Sequence, residues 1–283
     1  MTAKRIDAHQ HFWDPSRGDY GWLTPELQTL YRVFGPDDLK PLREAANIAR
    51  TVVVQAAPTV DETRYLLDLA RNDAAIAGIV GWVPLDALNA VELIDELARE
   101  PKFKGVRPML QDLPDDRWIE SPELTPAVHA LIKHDLAFDA LIFSRHVPSL
   151  KVFAARFPEL RIVVDHGAKP QIKEGKEGDM AWQSWADGIV ELAALPQRLH
   201  CKLSGLATEA APDWTVATLK PYVDHLLEHF GPERLMWGSD WPVLNLNGDY
   251  AHWFDAARQL TAHLDAPAQE TIFGDTAHAF YRL

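Results

Sequence analysis

Short apolar runs recur along the chain, separated by stretches in which apolar residues return every three or four positions. After an N-terminal segment, Arg5–Asp14 (RIDAHQHFWD), the runs are Thr51–Ala57, Ile76–Leu85, Phe103–Leu110, Leu136–Phe143, Arg161–Gly167, Leu199–Gly205 and Leu235–Pro242. They are β-branched and nearly continuous in apolar character, the signature of strands covered on both faces. The intervening stretches predict helices from Pro36, over Asp61–Ala70, Ala90–Arg99, Pro122–His134, Val147–Phe157, Met180–Ala194 and Thr215–Phe230. Two more close the chain, near Trp253–Leu264 and Ala268–Phe280. Eight strands alternating with helices, without a Gly/Ser-rich linker, predict a single α/β domain over residues 1–283, a (β/α)8 barrel. A doubly wound open sheet would need a Gly-rich turn after the first strand, and none is present.

The first segment departs from the pattern. On a strand, Asp7, His9 and His11 alternate with Ile6, Ala8 and Gln10, so two histidines share one face. A loop broken by Pro15, Gly18, Gly21 and Pro25 follows, carrying Phe12, Trp13, Tyr20 and Trp22.

The C-terminal strand ends of such a barrel carry its chemistry. The polar residues there are His9 and His11, Gln55, Arg107, Asp139, Asp165 and His166, Lys202 and Ser204, then Ser239 and Asp240. Each has a plain structural explanation: the histidines bonded to backbone carbonyls, Arg107 in a surface pair, Asp139 and Asp165 as helix caps, Lys202 on the outside. Those explanations do not account for three histidines and Asp240 arriving at one end of one barrel.

Lys plus Arg number 28 against 41 Asp plus Glu, a net charge of −13. This disfavours nucleic acid and anionic membranes as partners. The single cysteine, Cys201, excludes an intrachain disulfide and a cysteine-based zinc motif, and fits a cytoplasmic setting. The opening residues lack a signal-peptide core, and no run approaches a membrane span.

His-x-His on strand one, a histidine after strand six and the Asp of GSDWP on strand eight resemble the amidohydrolase superfamily. RIDAHQHFWDP, DHGAKP and MWGSDWPV resemble its sugar-lactonase branch, and the likeness spans the chain. The resemblance implies opening of a sugar lactone, L-fucono-lactone or a related L-sugar lactone, to the free acid. The superfamily's usual strand-four lysine or glutamate, or strand-five histidine, is replaced here by Arg107 and by Phe138 and Asp139. A binuclear site is therefore not expected. No cofactor is expected to be required, with His9, His11 and Asp240 leaving room for one weakly held zinc ion.

A lactone needs a base for water, donors for the oxyanion and an acid for the ring oxygen. Asp240 is the expected base, with His9, His11 and His166 as donors to the carbonyl. Gln55, Arg107, Asp139 and Ser204 are expected to bond ring hydroxyls, and Trp13, Trp22 and Trp241 to stack on the ring or to pack the loop. With only Arg107, and Arg145 nearby, a neutral lactone fits better than a dicarboxylate. The alternatives are a metal-dependent decarboxylase of the same superfamily and a non-catalytic sugar-binding barrel. Oligomeric state is not encoded legibly.

Overall fold

The computed structural model describes residues 5–175 and 177–283. Residues 1–4, part of the opening segment in which no signal-peptide core is expected, lie outside them. Eight parallel strands stand in chain order: β1 (Arg5–Gln10), β2 (Ile48–Val54), β3 (Ile76–Gly81), β4 (Phe103–Val106), β5 (Ala137–Ala140), β6 (Ile162–Val164), β7 (His200–Leu203) and β8 (Leu235–Trp237). The ring closes just past β8, where Gln10 bridges Trp241 in parallel. The Asp240 N–H donates to the His9 carbonyl and the His11 N–H to the Trp241 carbonyl, each at 2.7 Å. The expected (β/α)8 barrel is present.

The strands are shorter than the apolar runs. Val83, Leu85, Leu110, Leu141 and Ile142 lie beyond the strand ends, yet are buried. Apolar character there reports burial, not pairing. The helices after successive strands are Pro36–Ala45, Val60–Asn72, Ala90–Leu97, Thr125–Lys133, Val147–Arg156, Met180–Ala193, Val216–Phe230 and Tyr250–Leu260. Several starts are set by caps: Thr59, Asp179, Thr215 and Asp249 each accept a backbone N–H of the first turn. Asp249 begins its helix three residues before the apolar periodicity suggests. The last predicted helix is in three pieces, Ala266–Glu270, a π turn over Thr271–Asp275 and Thr276–Tyr281. A short helix, Leu206–Glu209, was not anticipated.

Inside the ring, side chains alternate with the pleat. Val52, Val54, Val80, Ala137, Val163 and Met236 face inward with Ile6 and Ala8, and Ala277, Phe280 and Tyr281 of the last helix pack against them. The helix therefore floors the barrel. The opposite faces, among them Val53, Ile79, Phe138, Val164, Cys201, Leu203 and Trp237, form the larger core beneath the helices. Among the described residues, no helix is long and apolar enough to cross a membrane.

Candidate active site

β1 meets β2 with a register shift: Asp7 pairs with Thr51 but Gln10 with Val53, so three steps on β1 match two on β2. This extra residue breaks the expected alternation. Ala8 joins the inner core, and so does the next side chain, because His9 contacts Lys202 inside the barrel at 3.0 Å. Asp7 points elsewhere. Its carboxylate accepts from the Ser239 N–H at 2.8 Å and from the Tyr250 hydroxyl at 3.0 Å. Asp7 thus ties β1 to the turn after β8 and does not share the histidines' face. Burial pushes its carboxyl up to about 6 against the bonds from Ser239, His9 and Tyr250.

The two histidines converge as expected. His9 Nε2 and His11 Nε2 are 3.2 Å apart. Asp240 Oδ1 is 3.3 Å from His11 Nε2, 3.7 Å from His9 Nε2 and 3.9 Å from His166 Nε2. His11 Nδ1 lies 2.8 Å from the Val54 carbonyl. A carbonyl only accepts, so Nδ1 carries a proton there. Asp240 stands in the left-handed region, at φ +58°. Burial would raise its carboxyl, but the charge of His166, the bond from His11 and the charges of His9 and His11 outweigh it. The group is held well below the usual carboxylate range.

His166 comes from a turn of unusual hand. His166, Gly167, Ala168 and Lys169 all have φ between +51° and +60°. Three of the four pay a Cβ penalty there of about 1–2 kcal/mol each. Trp185 Nε1 holds the turn by donating to the Gly167 carbonyl at 2.6 Å. One such turn presents His166 and Lys169 to the same cavity. His166 Nδ1 meets the Ser204 hydroxyl at 2.9 Å. Burial pulls the ring down to about 4, against the opposing pull of Asp240 and Asp165. His166 is thus neutral near pH 7.

His11, His166 and Asp240 form one wall of a cavity of about 250 Å³, and His9 is fully buried behind them. His11, Asp240, His166, Arg107, Trp13 and Trp22 line it, as expected, with Met109, Gln111 and Lys169. Trp13 and Trp22 meet edge to face, 5.3 Å between centroids. Trp13 Nε1 donates to the Leu30 and Arg32 carbonyls, and Trp22 Nε1 to that of Ala56. Those bonds fold the aromatic loop over the mouth.

Other expected substrate contacts are placed behind the wall. Gln55 and Arg107 bind each other: the Gln55 amide donates to the Arg107 carbonyl at 2.9 Å, and the guanidinium donates back to the Gln55 carbonyl. Ser204 reaches His166. Trp241 is buried between Phe12 and Phe34. Asp139 is fully buried, taking hydrogen bonds from Lys202 and, at 2.7 Å, from the Tyr281 hydroxyl. The inward parity of β5 sets it deep in the barrel rather than at its mouth. Arg145 is half exposed and pairs with Asp116 at 2.9 Å. Lys202, for which an outside position was open, is 0% exposed at the barrel's centre. Lys169 and Gln111 were missed. Lys169 sits within DHGAKP and had a signal in that motif; Gln111 lies in a short 3-10 turn, Leu110–Asp112, without one. Lys169 Nζ donates to Gln111 Oε1 at 2.9 Å.

A family model for amidohydrolases matches residues 6–283. The chain belongs to the amidohydrolase family. It is 49% identical over 283 residues to an L-fucono-1,5-lactonase of Burkholderia ambifaria, covering 99% of this chain and 96% of that one. It is 38% identical to an L-fucono-1,5-lactonase of Burkholderia multivorans, covering 100% and 97%. A crystal structure of an amidohydrolase from Burkholderia multivorans with bound zinc superposes with a TM-score of 0.93 at 37% identity, over 99% of this chain and 100% of that one.

His9, His11 and Asp240 each offer a ligand atom within 4.8 Å of the others. Three such donors fit one divalent ion with an open position for water. The His11 Nδ1–Val54 bond is the kind of outer contact that turns a histidine's other nitrogen toward a metal.

Proposed function

We propose that the chain opens a sugar lactone, L-fucono-1,5-lactone or a related L-sugar lactone, to the free sugar acid. The observation that carries the reading is a carboxylate held in its ionised form, ringed by three histidines, on the wall of a cavity about one sugar ring in size. The names borne by the relatives at 49% and 38% identity support the substrate class.

Asp240 takes a proton from water as the water oxygen bonds to the lactone carbonyl carbon. The carbonyl electron pair moves onto oxygen, where His11, His166 and Arg107 donate hydrogen bonds, with His9 behind them. The oxyanion then collapses, the bond from carbonyl carbon to ring oxygen breaks, and Asp240 returns its proton to that oxygen. Ser204 holds His166 and Gln55 holds Arg107. Trp13 and Trp22 form the apolar wall against the ring, while Trp241 fixes the loop that carries them. A zinc ion held by His9, His11 and Asp240 would polarise the carbonyl as a Lewis acid. We read it as not required, because an ester-like carbonyl is already activated. Arg107 and Lys169 are the cations on the cavity wall, set against Asp112 and Asp240. That balance favours a neutral, hydroxyl-rich ring over a dicarboxylate.

The test is proton release from a panel of aldono-lactones and pyrone-dicarboxylate, with and without chelator. Hydrolysis of neutral L-sugar lactones that survives chelation is expected. Loss on chelation with rescue by zinc would overturn the metal-independent part. Inactivity on every lactone would overturn the whole reading and turn attention to decarboxylation.

A further inference from the structure

Below the cavity, an ionic column runs through the barrel. The Tyr281 hydroxyl donates to Asp139, Lys202 Nζ donates to the same Asp139 oxygen, and Lys202 also reaches His9 Nδ1 at 3.0 Å. Asp165 Oδ1 lies 3.0 Å from Lys202 Nζ, and Arg107 pairs with its other oxygen at 3.5 Å. Lys202, Asp139, Asp165 and His9 are all 0% exposed. A lysine between two carboxylates is a donor and has no acceptor to offer. His9 Nδ1 must then accept. The competing arrangement puts the proton on Nδ1 and gives it to Asp165. That oxygen is 3.6 Å away, beyond a hydrogen bond, and the N–H would be set against the lysine's own hydrogens at 3.0 Å. On the far side of the ring, His9 Nε2 lies 3.2 Å from His11 Nε2 and 3.7 Å from Asp240 Oδ1, a carboxylate oxygen that only accepts.

We infer that Lys202 is a positioning residue: by donating to His9 Nδ1 it confines the ring's one proton to Nε2, so His9 turns an N–H toward His11 and Asp240 rather than a lone pair toward a metal ion. An Nδ1 that accepts from Lys202 carries no proton, so the ring has its one proton on Nε2. A ring protonated at Nε2 has no lone pair there for zinc. Lys202 thus weakens a site whose donor count and spacing would otherwise suit the ion. The inference depends on the lactonase reading only for what the Nε2–H donates to, and its first test uses no substrate.

That test is ¹⁵N-histidine NMR of the metal-free protein, with His9 assigned by loss of its signals in His9→Gln. A neutral Nε2–H tautomer is expected; a neutral Nδ1–H tautomer would overturn the inference, whether or not any lactone is hydrolysed. The second is Lys202→Met, in which His9 Nδ1–H can turn to Asp165 in a carboxylate–histidine–metal relay. Competition with a chromophoric chelator should find zinc held at least about tenfold more tightly than in the parent, on the scale of outer-contact changes at metal sites. Equal or weaker zinc binding by the folded variant would overturn it. If the variant does not fold, the tautomer of the parent protein decides alone.

Discussion

Asp240, His9, His11 and His166 come from three separate strand ends, and their environments set their protonation. Asp240 stays ionised because its neighbours outweigh its burial; His166 stays neutral because burial outweighs its carboxylate neighbours. Replacing Asp240 with Asn keeps the shape and removes the base. It should lower kcat by about a thousandfold, within the range for a lost acid–base group, and leave KM within a few-fold in steady-state lactone hydrolysis. Near-normal turnover would remove Asp240 from the mechanism. The pH profile has a definite sign. His166 is neutral above about 4 in the folded chain and Asp240 is ionised throughout that range. So His166 should add no limb to kcat/KM between pH 8 and about 5, and should lower it only as pH approaches 4, when a charged His166 pairs with Asp240 and blocks the base. A limb near the ordinary histidine pKa of about 6.5 that disappears in His166→Gln would contradict this assignment.

Elements position these residues through departures from regular geometry. The β1 register shift turns His9 inward after Ala8, and the left-handed turn after β6 aims His166. The turn after β7 must leave room for that ring. Gly205 has φ +68°, and a Cβ there would lie 2.5 Å from His166 Nδ1. Gly205→Ala should cost about 1–3 kcal/mol in denaturant unfolding and depress kcat, because the His166–Ser204 bond is displaced. Gly178→Ala is the control. Its φ is +89° with nothing within 4 Å, so it should lose stability from backbone strain while keeping kcat. Equal kcat in both variants would mean that the His166–Ser204 contact does not matter. Strand existence was legible from apolar runs, because burial on both faces leaves that trace. Strand ends were not, because buried loop residues such as Val83 and Leu141 leave the same trace.

Across the whole molecule, the last helix is joined to the active site through the barrel's interior. Phe280 and Tyr281 close the floor, and Tyr281 begins the column that ends at His9. Tyr281→Phe keeps the ring and removes one donor from the buried Asp139. A loss of about 1–2 kcal/mol is expected, seen in a chain of this length as a fall in Tm of roughly 2–3 °C. An unchanged Tm would show that the hydroxyl contributes nothing to holding the floor.

The chain's pattern by itself determined the barrel, its strand order and the three histidines with Asp240 at one end. Apolar periodicity and residue chemistry at strand ends are local properties, and the closed ring follows from repeating them eight times. The tertiary structure decided which polar residues share an environment. Asp139 and Lys202 read like mouth or surface residues, yet inward parity on β5 and β7 buries them together. Asp7 reads like a partner of His9, yet one extra residue in β1 sends it to Tyr250. Gln55, Ser204 and Trp241 sit at the predicted height but behind the residues that line the cavity. Depth inside a barrel depends on register between strands distant in sequence, and no single strand carries that information.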